Sequence, residues 1–313
     1  MTRAAVVVNP AARGDPAQVA EDAARELRAM FAGVDVLRTA EPGGGVALAR
    51  AAASDPDVGL VVAVGGDGTA REVAHGIALG LGTWTAGGPA PAGAAQMLIL
   101  PAGTGNSMHH ALWSDRPWRE SLALLGRGGT ERCDVDLARI SGDGQAVLLG
   151  ASAGFLRWTV DATARFPHLS GRQLYMEAAL SVATSLRPFP GAVSVDGRPL
   201  CEGPIALAAV GGAQRRGGSL AVLPRSVLDD GLLDVCVLLA PDGATAVEQL
   251  TAAMQGAHLE LPGVHYAQGS AVTLRALDGP LPFEVDGDAW PGEASSVTLR
   301  AVPKAVPMVV PRT

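Results

Sequence analysis

The run Gly59-Leu60-Val61-Val62-Ala63-Val64 leads straight into Gly65-Gly66-Asp67-Gly68-Thr69, and a helical pattern opens behind it. Few folds accommodate that succession. An uninterrupted apolar run of this length suits a strand buried on both faces, as in a parallel sheet covered by helices. The glycines let the backbone approach closely whatever lies beyond the end of the strand. A helix starting there offers unpaired N–H groups and the positive end of its dipole, which together suit a phosphate. Thr69 can cap that helix or bond a phosphate oxygen.

The flanking chain repeats the pattern. Residues 4–8 form a β-branched run ending at Asn9-Pro10, and 34–38 form a second one ending at Thr39. Between them, 18–31 place Val19, Ala23, Leu27 and Met30 at helical spacing with charges on the other side. Residues 45–53 read as an Ala-rich helix, 70–81 as a helix with Val73, Ile77 and Leu81 on one side, and 97–100 as a fourth strand. Strand-helix alternation implies a parallel sheet, whose ligands bind at the C-terminal ends of the strands. A second glycine turn, Pro101-Ala102-Gly103-Thr104-Gly105-Asn106-Ser107, follows the fourth strand, and its Thr104 and Asn106 suit phosphate or ribose as well as an ordinary turn. Residues 82–96, rich in Gly, Pro and Ala, read as a surface insertion.

Past residue 133 the texture changes. Helical periodicity is clear only over 173–185. The rest is short strands at 133–140, 146–150, 192–195, 205–210, 232–239, 272–275, 283–285 and 297–301, punctuated by Asp143-Gly144, Asp196-Gly197, Asp230-Gly231 and Asp286-Gly287. That is the pattern of an antiparallel sandwich or barrel. Two domains are expected, an α/β domain over 1–132 and a mostly antiparallel β-sandwich over 133–301.

Composition removes several alternatives. The net charge of −7 argues against a broad nucleic-acid-binding face, so no nucleic acid is expected as a partner. Lys304 is the only lysine in the chain. A P-loop, a protein-kinase strand lysine and Schiff-base chemistry all need a lysine in the body of the chain. Cys133, Cys201 and Cys236 are odd in number and far apart, which suits a reducing cytoplasm better than a disulfide framework or a zinc site. No run reaches the length of a spanning helix, so a cytoplasmic protein is expected, with membrane contact at most peripheral. The six histidines show no metal spacing, and His109-His110 follows the second glycine turn.

Asn9-Pro10, Gly65–Thr69 with Glu72-Val73, and Pro101–Asn106 resemble, in order and spacing, the catalytic domain of diacylglycerol kinases. Sphingosine and ceramide kinases and, more distantly, NAD kinases share that superfamily. Gly217-Gly218, the stretch 224–228 and Asp230-Gly231-Leu232-Leu233-Asp234-Val235 look like its second-domain signature, and Val285-Asp286-Gly287-Asp288 resembles its late Asp-Gly-Glu. The tail, 302–313, resembles the segment that returns to the first domain.

The resemblance implies an ATP-dependent kinase acting on a lipid hydroxyl. ATP would lie across Asn9, Pro10, Ala11, Ala12, Arg13, Thr39, Gly65, Gly66, Asp67, Gly68, Thr69, Ala70, Arg71, Glu72 and Thr104. The Asp230 side chain, with the backbone carbonyls of Val227 and Leu232, would hold Mg²⁺. Asp67 would organise the nucleotide's metal and phosphates. Asp286 and Asp288 would sit near the interdomain cleft, one of them taking the proton of the acceptor hydroxyl. The partners implied are a lipid substrate at a membrane surface and, as an open alternative, a second copy of the chain.

The bottom-up chemistry agrees, since phosphoryl transfer needs positioning, charge neutralisation and a base. Asp-Gly at 230 and 286 is also a common hairpin signal in its own right. Four positions depart from the family pattern. Arg71 stands for an Asn, Ser107 for an Asp, Asp288 for a Glu one methylene longer, and Gly211 for an Asn. An NAD-kinase-like enzyme, and a nucleotide- or lipid-binding protein that has lost catalysis, therefore stay open. On the acceptor side, Trp158, Phe166, Leu169, Tyr175 and Met176 cluster with Arg157, Arg165 and Arg172, as a lipid-facing groove or an ordinary core helix would.

Overall fold

The computed structural model describes residues 2–142, 144–216 and 220–312. The chain divides into two compact units, Met1–Leu137 with Val302–Thr313, and Ala138–Ala301.

The first unit runs β1 (Arg3–Val8), α1 (Pro16–Leu27), β2 (Val34–Arg38), α2 (Gly44–Ser54), β3 (Val58–Gly65), α3 (Asp67–Gly80), the one-turn α4 (Thr83–Ala86), β4 (Gln96–Pro101), α5 (Ser107–Trp113) and α6 (Trp118–Gly126). The strands are parallel in the order β2-β1-β3-β4. Val8 pairs with Arg38 on one side and Val64 on the other, and Gly65 pairs with Pro101. This register brings all four C-terminal ends to one edge of the sheet. Val6, Val8, Leu60, Val62, Val64, Leu98 and Leu100 pack against Ala20, Ala23 and Leu27 of α1 and against Trp113 and Leu122. The alternate residues Ala5, Val7, Val61, Ala63 and Ile99 are buried as well, as the continuous apolar runs require.

Local chemistry sets the helix limits. Asp15 caps α1, its side chain accepting from the Gln18 N–H at 3.2 Å, and Pro16 opens the first turn. The helix stops at Leu27, four residues short of the periodic stretch. There Met30 N–H turns back to the Leu27 carbonyl, ahead of Gly33 and β2. α2 and α3 pack closely because Gly80 has no side chain: a Cβ there would stand 2.7 Å from the Arg50 carbonyl oxygen.

In the second unit the order is β5 (Thr130–Ile140), β6 (Ala146–Val147), β7 (Gly150–Gly154), α7 (Phe155–Ala162), a 3₁₀ turn at Thr163–Arg165, α8 (Gly171–Ala183), β8 (Phe189–Val195), β9 (Arg198–Gly211), β10 (Leu233–Leu239), α9 (Gly243–Met254), β11 (Val264–Gly269), β12 (Ala271–Ala276), β13 (Phe283–Val285), β14 (Asp288–Ala289) and β15 (Ser296–Pro311). Its antiparallel order is β14-β13-β7-β9-β8-β12-β15, with β10 on β9 and β11 on β10. Alternation along the strands splits the core. Val210, Val235 and Val237 join one cluster with Val272, Leu274, Phe283 and Leu299. Leu207, Ala209, Cys236 and Leu238 face the other way, against Phe155, Ala178, Val182 and Leu250 of the helices.

The expected break at 132/133 falls inside β5, which carries the chain from one unit to the other. β15 makes the return crossing, over the tail 302–313 that the resemblance implied would rejoin the first unit. Its far half belongs to the first unit, where Met308 pairs with Met97 of β4 and Lys304 N–H donates to Asp136 at 2.6 Å. Finally, the second unit holds three α-helices among the described residues, not one: α7 and α9 accompany the anticipated α8.

Candidate active site

At the strand-end edge of the first unit, two turns interlock. Gly66 is the N-cap of α3 and so brings no side-chain oxygen to its first turn. Ala102 N–H donates to the Gly65 carbonyl at 2.8 Å, and Gly14 N–H to the Ala102 carbonyl at 3.0 Å. Gly103 lies flat against Gly66, where a Cβ would stand 2.9 Å from the Gly66 nitrogen. Asn106, at φ 52°, closes the second turn on itself: its Oδ1 accepts from Gly103 N–H and its Nδ2 donates to the Gly103 carbonyl, both at 2.9 Å.

Asn9 reaches across from the end of β1. Its Nδ2 donates to Thr69 Oγ1 at 3.2 Å, and its Oδ1 accepts from Ala11 N–H at 2.9 Å, which curls Pro10, Ala11 and Ala12 into a turn leading to the exposed Arg13. Thr39 is buried at the end of β2, with its N–H on the Val8 carbonyl at 3.0 Å. Glu72, one turn into α3, accepts from Gly43 N–H at 2.9 Å and Gly45 N–H at 3.0 Å, so it caps α2. Asn9, Gly65, Gly66, Gly68, Thr69, Ala70 and Thr104 are thus gathered at one edge, with Arg71 half-buried on α3 behind them.

Asp67 ties the two turns together. Its Oδ2 accepts from Ser107 N–H at 2.9 Å and its Oδ1 from Met108 N–H at 3.0 Å. Both oxygens accept from the first turn of α5, so the carboxylate fastens one glycine turn to the other. His109 packs inside the unit. It is buried, with Nδ1 3.1 Å from the Ile99 carbonyl oxygen and Nε2 3.1 Å from that of Arg116. Burial holds its pKa below the usual histidine value, against the pull of those two carbonyls.

In the second unit, Asp286 and Gly287 form the tip of the β13–β14 hairpin, at φ 51° and 88°, with Val285 paired to Asp288. Two left-handed central residues are what a two-residue type I′ turn needs. The Asp286 carboxylate is buried and accepts from three backbone N–H groups, Leu148 at 2.9 Å, Leu149 at 2.8 Å and Gly150 at 3.0 Å. Those bonds hold the carboxylate in place. Asp288, at the start of β14, is exposed.

Sequence reasoning passed over Glu284 and Arg216. Glu284 is 1% exposed; it accepts from Ser152 Oγ at 2.6 Å, Arg216 Nη2 at 2.7 Å and Gly287 N–H at 2.8 Å. No local pattern links residues 68 positions apart, and only the acid next to a hairpin signal was there to be noticed.

Asp230 Oδ1 accepts from Leu232 N–H at 3.0 Å across Gly231, which sits at φ 81°. Gln268 Nε2 lies 3.3 Å from Asp230 Oδ2 and 3.2 Å from Asp234 Oδ2, and Tyr266 Oη donates to Asp234 at 2.6 Å. Burial and the adjacent Asp234 push the Tyr266 hydroxyl's pKa up. Among the described residues, no group of three or more His, Cys, Asp or Glu could hold a metal. A site made of one carboxylate and backbone carbonyls is of a different kind. Asp230 keeps lone pairs beyond the two hydrogen bonds, and hard oxygen donors of this sort fit Mg²⁺, which retains most of its waters. Val227 is exposed beside this turn. Gly217, Gly218, Asp143 and the Arg172 side chain lie outside the described residues.

The diacylglycerol kinase catalytic domain matches residues 3–138, and the YegS C-terminal NAD kinase beta sandwich-like domain matches residues 150–310. The chain belongs to this kinase family. A diacylglycerol kinase of Bacillus subtilis is 26% identical over 237 residues, 75% of this chain and 73% of that protein. A probable lipid kinase YegS-like protein of Stenotrophomonas maltophilia is 28% identical over 274 residues, covering 83% of this chain and 82% of its own length. The crystal structure of a diacylglycerol kinase from Bacillus anthracis str. Sterne superposes at a TM-score of 0.68 with 19% identity, covering 99% of this chain and 96% of that one, and carries the same fold. The family is a kinase family.

Proposed function

We propose that this chain transfers the terminal phosphoryl group of ATP to the hydroxyl of a lipid, with diacylglycerol the first acceptor to try. The observation that carries the reading is the Gly66–Gly103 contact. It packs two glycine turns edge to edge at the start of α3, where backbone N–H groups and the helix dipole favour phosphate oxygens. The names of the curated relatives support a lipid acceptor.

In this mechanism Asn9 and Thr69 shape the phosphate edge, and the Arg71 guanidinium neutralises charge on the transferring group. The exposed Asp288 takes the hydroxyl proton as the oxygen–phosphorus bond forms and the bond to the bridging oxygen of ADP breaks. Asp230, with the Val227 and Leu232 carbonyls, would hold Mg²⁺, which would stiffen the loop before β10. A lipid acceptor implies contact with a membrane surface. None of the described helices is long and apolar enough to cross a membrane. The exposed Met176 and Leu180 of α8 are the apolar side chains suited to a peripheral contact.

The test is ATP consumption with Mg²⁺ across diacylglycerol, a sphingoid base, ceramide and NAD, for the wild type and Asp288→Ala. Turnover on one lipid, lost in the variant, supports the reading. Turnover on NAD alone moves the chain to NAD kinase chemistry, and ATP binding without turnover on any acceptor marks a lapsed enzyme.

A further inference from the structure

The acid hairpin of the second unit is held far more tightly than a surface turn requires. Asp286 is anchored by three backbone N–H groups, and its own N–H donates to the Gly150 carbonyl at 2.9 Å. Glu284 pulls the tip from the other side by accepting from Gly287 N–H. Beneath them lies Arg216, whose side chain is 4% exposed. Its Nη2 is 2.7 Å from Glu284 Oε1 and its Nη1 4.0 Å from Asp286 Oδ1. Its backbone exchanges hydrogen bonds with Leu220 at 2.8 and 3.0 Å. Gly150 makes room for the guanidinium, since a Cβ there would stand 3.0 Å from Arg216 Nη1.

Burying an Arg–Glu pair is poor value for stability alone, because desolvation offsets the attraction, and apolar replacements often serve as well. A two-residue hairpin forms without one. What the pair does supply is a fixed position. Glu284 has both oxygens committed, Oε1 to Arg216 and Ser152 and Oε2 to Gly287, and the residue after Gly287 is Asp288. We infer that Arg216 and Glu284 are positioning residues for the phosphoryl transfer, holding the Gly287–Asp288 peptide so that the Asp288 carboxylate meets the acceptor hydroxyl. The inference rests on the assignment of Asp288 as base. It also accounts for how an aspartate, a methylene shorter than glutamate, can serve there: a short acid tolerates less slack in the backbone that carries it.

The experiment measures kcat and KM for ATP and for the lipid acceptor in Arg216→Lys and Glu284→Gln, each alone and combined with Asp288→Ala, with radiolabelled ATP to follow slow rates. The single variants are expected to keep a native circular-dichroism spectrum and a KM for ATP within about twofold of wild type. Their kcat should fall about ten- to hundredfold, the usual cost of misplacing a catalytic group by an ångström or less. In the Asp288→Ala background the same changes should cost nothing further, because the group they position is gone. Losses that multiply in that background, or undiminished kcat in folded Glu284→Gln beside an inactive Asp288→Ala, overturn the positioning role alone. Full kcat in Asp288→Ala by itself overturns the base assignment. Should Glu284→Gln fail to fold, Ser152→Ala removes one bond to Glu284 and leaves the ion pair. It should lower kcat several-fold with Asp288 present and not with Asp288→Ala, and multiplying losses there overturn the proposal equally.

Discussion

Gly66 and Gly103 touch backbone to backbone. A Cβ on Gly103 would run into the Gly66 Cα and stand 3.1 Å from Asn106 Oδ1. The constraint is close approach and not handedness, since Gly103 does not adopt a positive φ. The Gly66 atoms are backbone and cannot swing away, and the Asn106 amide is tied to Gly103 by its own two hydrogen bonds. Gly103→Ala must therefore push the two glycine turns apart, at a cost of about 1–3 kcal/mol by analogy with overpacking. A lower denaturation midpoint is expected together with an ATP KM raised at least about tenfold, given how steeply catalysis depends on placement. A variant with unchanged ATP KM would show that the two turns do not jointly bind the nucleotide.

Asp67 fastens the second glycine turn to the first. As a cap on α5 it accepts from Ser107 and Met108. Asp67→Asn keeps the shape but turns an amide toward one of those N–H donors. It should lower unfolding free energy by about 1–2 kcal/mol, the range for a lost cap or charged hydrogen bond. The Mg²⁺ concentration giving half-maximal activity should stay where it is. A tenfold shift in that Mg²⁺ midpoint with unchanged stability would assign Asp67 the metal-organising role instead.

The first unit was largely legible because its strands are buried on both faces, and uninterrupted Val-Leu runs have few other uses. β2 and β13 lie where the pattern put them. Helix starts were harder. α3 begins at Asp67, three residues before the periodic stretch, since glycines in a first turn carry no periodic signal. α9 went unread because its buried stripe is Ala246, Leu250 and Ala253 amid Thr, Glu and Gln. Its signal was Asp242, which accepts from Thr245 N–H at 2.8 Å. The Asp286-Gly287 turn was readable as a hairpin; what its acid does was not, because Leu148–Gly150 and Arg216 reach it only through tertiary pairing.

His109 and His258 are buried, and burial lowers the pKa of both. In the unfolded chain each titrates near the ordinary value of about 6.5. Between that value and the lower folded pKa, the unfolded state binds more protons, so stability rises with pH. The contribution is complete above about pH 6.5 and is lost as pH falls below it. His258 adds to the effect, since its Nδ1 has no hydrogen-bond partner among the described residues. Urea midpoints should drop from pH 7.5 to pH 5.5, and a His109→Gln, His258→Gln double variant should show a shallower slope over that interval. An equal slope in the double variant would assign the acid sensitivity elsewhere.

Met176 and Leu180 stand one turn apart on α8, 43% and 59% exposed, while Leu174, Ala178 and Val182 of the same helix are buried. Residues four apart share a helix face, so the two side chains form a single apolar strip directed at solvent. Exposed apolar residues scattered singly need no explanation, but adjacent ones in a lipid-metabolising enzyme have a natural use at the bilayer interface. Each would gain up to about 1.5–3 kcal/mol on full burial in an apolar phase, less where insertion is partial. Met176→Asp combined with Leu180→Asp changes neither the phosphate edge nor the Asp286 hairpin. Turnover of long-chain lipid in anionic vesicles should fall about tenfold or more, through a higher apparent KM for vesicles. Turnover of a short-chain, monomerically dissolved acceptor should hold within about twofold. Equal losses on both substrates would mean that the strip supports the fold of α8 and makes no contact with a membrane.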